Sequence, residues 1–194
     1  MLDLQFIMMT TASGERDTER YKAVIPDLKL CVDYQHDAMV NFLNSMNYTH
    51  LPAVHLEDDI VLCDNFVERV TAACNEWPDH IINFFSLRSE DYEILKPHLV
   101  PGRRFMMNQC FYIPAGVGPE IAKFYETWPR KQEHPTGYDI LMADWMKEHK
   151  LKYVQWFPHL VNHEHRVSLI NPKWSSGRGD KRWRKSADYS DIIK

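Results

Sequence analysis

Short apolar runs alternate with amphipathic helical patterns along most of the chain, and this alternation points to an α/β layered fold, not a helical bundle or an all-β barrel. Leu4 to Thr10 reads as a buried first strand, followed by the polar turn Thr11 to Gly14 and a charged helix that Pro26 stops. Leu28 to Asp33 reads as a second strand, and His36 to Met46 as a helix with Met39, Phe42, Leu43 and Met46 on one face. Leu51 to Leu56 supplies a third strand. Asn65 and Glu68 have capping-box spacing and open a helix that ends before Pro78. Ile81 to Leu87, Met106 to Ile113 and Lys152 to Phe157 complete the strands. Gly118-Pro119 has the pattern of an N-cap glycine with proline at the first helical position, starting a helix that runs to Trp128. Thr136 to Asp139 opens a further helix that buries Ile140, Leu141, Trp145 and Met146, and the polar, proline-containing stretch from Ser89 to Arg104 reads as a loop.

The 194 residues suit one domain with a tail, and we expect residues 1–170 to fold and 171–194 to form a basic appendage. The net charge of −4 is uneven: Lys173 to Lys185 carries +5, which leaves −9 for the rest, an acidic body with a basic end. Cys31, Cys63, Cys74 and Cys110 are scattered in apolar contexts without metal-ligand or redox spacing, so they read as reduced core residues. The opening Met1 to Met9 lacks a basic start, contains an acid and is too short for a signal or a membrane span. These features predict a soluble protein of a reducing compartment.

The third strand breaks into Glu57, Asp58 and Asp59 before Ile60, Val61 and Leu62. In extended backbone Glu57 and Asp59 point one way and Asp58 the other. Three adjacent carboxylates repel one another at neutral pH, and a divalent cation or a set of donors makes the arrangement favourable. Open α/β sheets also bind ligands at the carboxyl ends of inner strands. A solvated acidic turn is the plain alternative. No glycine-rich phosphate loop or dinucleotide fingerprint is present, which argues against kinase and dehydrogenase readings.

Three blocks together carry a resemblance: Leu56-Glu57-Asp58-Asp59-Ile60-Val61, Tyr138-Asp139-Ile140-Leu141, and Pro158-His159-Leu160-Val161-Asn162-His163 leading to Ser168-Leu169. In order and in residue type they resemble metal-dependent nucleotide-sugar glycosyltransferases of the GT-A fold, the N-acetylglucosaminyltransferase IV type foremost and the family 25 galactosyl- and glucosyltransferases second. The resemblance implies a GT-A-like, Rossmann-like three-layer sandwich around a mixed, mostly parallel sheet, with a DXD-like acidic motif. It implies Asp59 and His163 as ligands of Mn2+, or Mg2+ in its place, with His159 and His165 as alternatives to His163. A mixed carboxylate, imidazole and phosphate shell suits such an ion. Glu57 and Asp58 fall to the nucleotide sugar, a UDP-type donor, and Asp139 to the general base of an inverting reaction. Asp139 also follows Thr136 at the spacing where an acid stabilises a helix start whatever the protein does.

Thr10 and Thr11 after the first strand, Arg16 in the following turn and Asp33 closing the second strand are candidate contacts for base and ribose, although each also fits an ordinary surface role. The chain departs from the secretory relatives in starting within a residue or two of its first strand and in leaving little room for an acceptor subdomain. Those departures suit a hexosyltransferase-type enzyme in the cytoplasm of a bacterium or a virus-infected cell. The acceptor is left open: a glycan, a small molecule, or DNA reached by the basic, tryptophan-bearing tail, as in phage glucosyltransferases that act on hydroxymethylated bases. For the tail, a lid over the donor diphosphate ranks first, a nucleic-acid contact second and a merely solvating segment third. A non-catalytic nucleotide-sugar or metal-binding protein of the same fold is the alternative from a different class.

Overall fold

A computed structural model describes residues 2–12, 17–86, 88, 90–106 and 109–164. In chain order its elements are β1 (Gln5–Thr11), α1 (Glu19–Val24), β2 (Lys29–Asp33), α2 (Ala38–Met46), β3 (Ala53–Glu57), β4 (Ile60–Leu62), α3 (Phe66–Glu76) and β5 (Ile82–Asn83). They continue as α4 (Asp91–Ile94), β6 (His98–Pro101), β7 (Cys110–Ile113), α5 (Val117–Thr127), α6 (Tyr138–Glu148), β8 (Lys152–Gln155) and β9 (Val161–His163).

Seven strands form one sheet in the order β2-β1-β3-β7-β5-β8-β6. Five of them share a direction, and β7 and β6 run against it. The sheet is therefore mixed, with β3 an inner strand. Strand alternation sends Phe6, Met8, Val54, Leu56, Ile82, Tyr112 and Val154 to one face, where Tyr21 of α1 and Phe66, Val70 and Cys74 of α3 cover them. The opposite face carries Met9, Phe111, Ile113 and Tyr153 against Met39, Phe42 and Met46 of α2, Ile121 of α5 and Leu141, Met142 and Met146 of α6. Helices on both faces make an α/β/α sandwich. Burying each of these large apolar side chains contributes about 2 kcal/mol, so buried area is the main term holding both helical layers.

Local chemistry explains where the helices begin. Asp37 caps α2 by accepting from the Met39 and Val40 amides. The expected capping box at Asn65 does not form, because Asn65 sits in left-handed backbone at φ +54° while a capping side chain needs extended backbone. The start of α5 is also shifted from expectation: Gly116, at φ +78°, is the N-cap, and Pro119 lies in the first turn, where its missing N–H is not needed. Gly118 instead serves packing. A Cβ there would lie 2.5 Å from the Met46 carbonyl oxygen, so the absence of a side chain lets α5 close against α2.

The stretch expected as a loop from Ser89 to Arg104 contains α4, the edge strand β6 and a 3₁₀ turn at Gly102–Arg104. Its anchor is the buried Asp91 carboxylate, which accepts from Ser86 Oγ at 2.5 Å and lies 3.2 Å from His98 Nε2 and 3.6 Å from Arg88 Nη2. Polar composition concealed this element because its anchoring charges, Asp91 with Arg88 and His98, turn inward and pair with one another. The four cysteines are free and buried. Among the described residues no helix is long and apolar enough to cross a membrane. The expected boundary at residue 170 lies outside the described residues.

Candidate metal centre

The ladder between β3 and β7 continues to the last residue of β3, where the Glu57 N–H donates to the Gln109 carbonyl at 2.9 Å. Glu57 therefore keeps the strand's alternation and turns its side chain toward the face that carries α2 and α6. The chain then bends. Asp58 passes to the other face, where its Oδ2 accepts from Thr10 Oγ1 at 2.6 Å. Asp59 comes back to the side of Glu57, so the expected pairing of these two acids arises from a strand end and a turn, not from one continuous strand.

Helix α1 holds that turn. The buried Tyr21 hydroxyl donates to the Ile60 carbonyl at 2.6 Å and accepts from the Ile60 N–H at 3.2 Å. Its neighbour Arg20 forms an ion pair with Glu164. Strands β4 and β9 form a separate antiparallel ribbon that sets Ile60 opposite His163, and the Glu164 N–H donates to the Asp59 carbonyl at 2.7 Å. This register brings His163 Nε2 to 3.2 Å from Asp59 Oδ2. Nδ1 of the same ring lies 2.6 Å from the Glu164 carbonyl. A proton on Nδ1 directed at that carbonyl turns the Nε2 lone pair toward the acids, the second-shell device that orients metal-binding imidazoles.

Glu57, Asp59 and His163 each offer a ligand atom, and these atoms lie within 4.8 Å of one another. The trio is mostly shielded, with Asp59 at 15% and His163 at 19% side-chain exposure. Burial and then the Asp59 charge push the Glu57 carboxyl up to about 7, against the hydrogen bond from Tyr138. For His163 burial works toward a lower value, but the hydrogen bond and charge of Asp59, with the charge of Glu57, outweigh it and raise the imidazole. Glu57 and His163 thus hold their protons more tightly than the separate side chains would. Two carboxylates and an imidazole are a donor set suited to a divalent transition ion, and a cation in their midst would remove the repulsion that holds those protons. Ligands about 2.1 Å from one ion lie up to roughly 4.2 Å apart, so the trio needs at most a slight contraction to close on it.

Tyr138, the first residue of α6, donates its hydroxyl to Glu57 Oε1 at 2.5 Å, and its ring stacks on Phe42 with centroids 5.0 Å apart. Burial, then Glu57 and its hydrogen bond, raise the phenol well above its ordinary value, and the Asp59 and Asp139 charges add to the shift. Asp139 is the second residue of that helix, half-buried, with Oδ1 accepting from the Ile140 N–H at 2.9 Å. Gly137 is the N-cap, so Thr136 does not form the expected box with Asp139.

Comparison with known proteins yields no matching family model and no curated relative.

Of the remaining candidates, Thr11 and Asp33 lie at the carboxyl ends of β1 and β2. Thr11 ends β1 opposite Asp33, and Asp33 is buried with Oδ1 accepting from the Gln35 and Asp37 amides at 3.0 and 3.2 Å, which ties the turn after β2. Arg16, His165 and the basic tail lie outside the described residues. His159 is separate from the trio: it is buried between Phe85 and Phe157, and burial lowers its imidazole to about 4. Sequence reasoning missed Tyr138, Tyr21 and Arg20 as supports of the site. Their partners lie 81, 39 and more than a hundred positions away, and only a tyrosine beside an acid at a helix start hinted at the first. A groove of about 310 Å³ beside His80, Trp145 and Lys152 opens at the other end of the sheet, where β8 begins, and plays no part in this centre.

Proposed function

We propose that this protein is a metal-dependent glycosyltransferase of GT-A-like fold, moving a sugar from a nucleoside diphosphate sugar to an acceptor hydroxyl with inversion, in the cytoplasm of a bacterium or a virus-infected cell. The observation that carries the reading is the convergence of Glu57, Asp59 and His163 at the carboxyl end of an inner strand, where open α/β sheets bind ligands. In this reading Asp59 and His163 hold Mn2+ or Mg2+. Glu57, which the resemblance gives to the ribose, faces the same point and joins them. Such an ion, when bound, neutralises the charge that builds on a departing diphosphate.

The protein's own groups supply the rest. Asp139 takes the acceptor hydroxyl's proton from its place in the first turn of α6, where its Oδ1 accepts from the Ile140 N–H. Thr10 and Asp58, joined by their hydrogen bond, floor the gap between β1 and β3 on the nucleotide side, with Thr11 and Asp33 at the adjoining strand ends.

The test is donor hydrolysis. Incubation with manganese and a panel of nucleotide sugars releases nucleoside diphosphate from at least one donor, and Asp59→Ala abolishes the release. Silence across uridine, guanosine and thymidine diphosphate sugars overturns the enzyme in favour of a binding protein.

A further inference from the structure

We propose that Tyr138 is a positioning residue: its hydroxyl aims the Glu57 carboxylate as the third protein ligand of a divalent cation, and it locks the start of α6 to that cation's shell. The inference rests on the trio being a cation site, and it holds whether or not sugar transfer is the reaction.

Two anchors fix Tyr138 independently. The ring stacks on Phe42 at 5.0 Å and an interplanar angle of 16°, and Phe42 is itself buried in the α2 layer. The hydroxyl then has one direction left, toward Glu57 Oε1. Glu57 is fixed from behind by its amide bond to Gln109. A carboxylate tied at its backbone and at one oxygen is presented through the other, which confines it to one geometry before any ion arrives. Preorganisation of this kind is what outer-shell partners contribute to metal sites.

The chemical type of the partner separates this role from simple core stabilisation. Glu57 shares its corner with Asp59, and the single imidazole of His163 is the one positive group the trio can itself generate. Among the described residues the group hydrogen-bonded to the Glu57 carboxylate is a phenol, where an arginine or lysine would have balanced its charge. A phenol orients the carboxylate without neutralising it, so the negative charge stays available to a cation. The residue after Tyr138 is Asp139. Any motion of Glu57 is therefore passed to the helix turn that carries the proposed base, and ligand and base share a single support.

The experiment compares full-length wild type with Tyr138→Phe, which keeps the ring on Phe42 and deletes only the hydroxyl. Mn2+ is titrated against each protein while the electron paramagnetic resonance signal of free Mn2+ is followed, and melting is recorded in EDTA and in saturating Mn2+. The expected result is about a tenfold or greater loss of Mn2+ affinity in Tyr138→Phe. With it go a smaller metal-induced rise in melting temperature than in wild type and near-equal melting of the two proteins in EDTA. Wild-type Mn2+ affinity in a Tyr138→Phe protein that melts earlier in EDTA overturns the inference and leaves a packing role. Failure of wild type itself to bind Mn2+ overturns the cation site together with this inference, so the two failures are told apart by the wild-type curve alone.

Discussion

Replacing Glu57 with Gln should stabilise the metal-free protein in alkaline solution while removing its capacity for a cation. The Glu57 carboxyl is held at about 7, against an ordinary 4.5, by burial and by Asp59. A raised folded-state value means that the group's stabilising contribution is complete below about 4.5 and is lost as pH rises through about 7. Above that point the folded protein carries an ionised Glu57 that its surroundings disfavour by the whole shift, about 3 kcal/mol. Glutamine keeps an oxygen that can accept from Tyr138 and carries no charge. Urea denaturation in EDTA should therefore show Glu57→Gln more stable than wild type by about 2–3 kcal/mol near pH 8.5, with the gap closing near pH 4.5, where the wild-type carboxyl is itself neutral. Addition of Mn2+ should reverse the order, because only wild type gains binding energy. A variant no more stable than wild type at alkaline pH, or an advantage that persists in acid, would refute the account of Glu57 as an electrostatically costly residue kept for a cation.

Two further outcomes follow from the supports of the site. Tyr21→Phe leaves the Ile60 N–H and carbonyl without the hydroxyl that serves both, so it should lower stability by about 2–4 kcal/mol in urea denaturation and weaken Mn2+ binding as the β4 turn loosens. His55, buried against Phe111, has its imidazole depressed by burial to about 3, so the stability it contributes is present above about 6.5 and lost as pH falls toward 3. His55→Leu should flatten the acid limb of a stability–pH curve by up to about 1.4 kcal/mol per pH unit between roughly pH 6 and 4.

The layered α/β frame was legible because it follows from periodicity, a local property. Phe42 and Met46 announced a helix face, and Val54 to Leu56 a buried strand, from spacing alone. Elements whose stability comes from distant partners were not legible. Strand β6 has an unremarkable sequence and exists because it pairs with β8, and its approach is pinned by the inward charge pair of Asp91 and His98. Strands β4 and β9 are three residues each and pair across the length of the domain, too short for any period to register. Within the centre, the acids were visible as a run and His163 through the three-block pattern. Tyr138 was not, since nothing near it in sequence says that its hydroxyl will meet a carboxylate 81 positions earlier.

The β4–β9 ribbon has a consequence for the order in which the molecule is made. The seven strands of the main sheet are complete by Gln155, yet the imidazole arrives only with His163. A nascent chain emerging from the ribosome can assemble its entire sandwich while the corner beside Asp59 still lacks that nitrogen. The full trio thus closes only when the last described strand docks on β4, so the centre depends on the chain's far end finding its place beside the third strand.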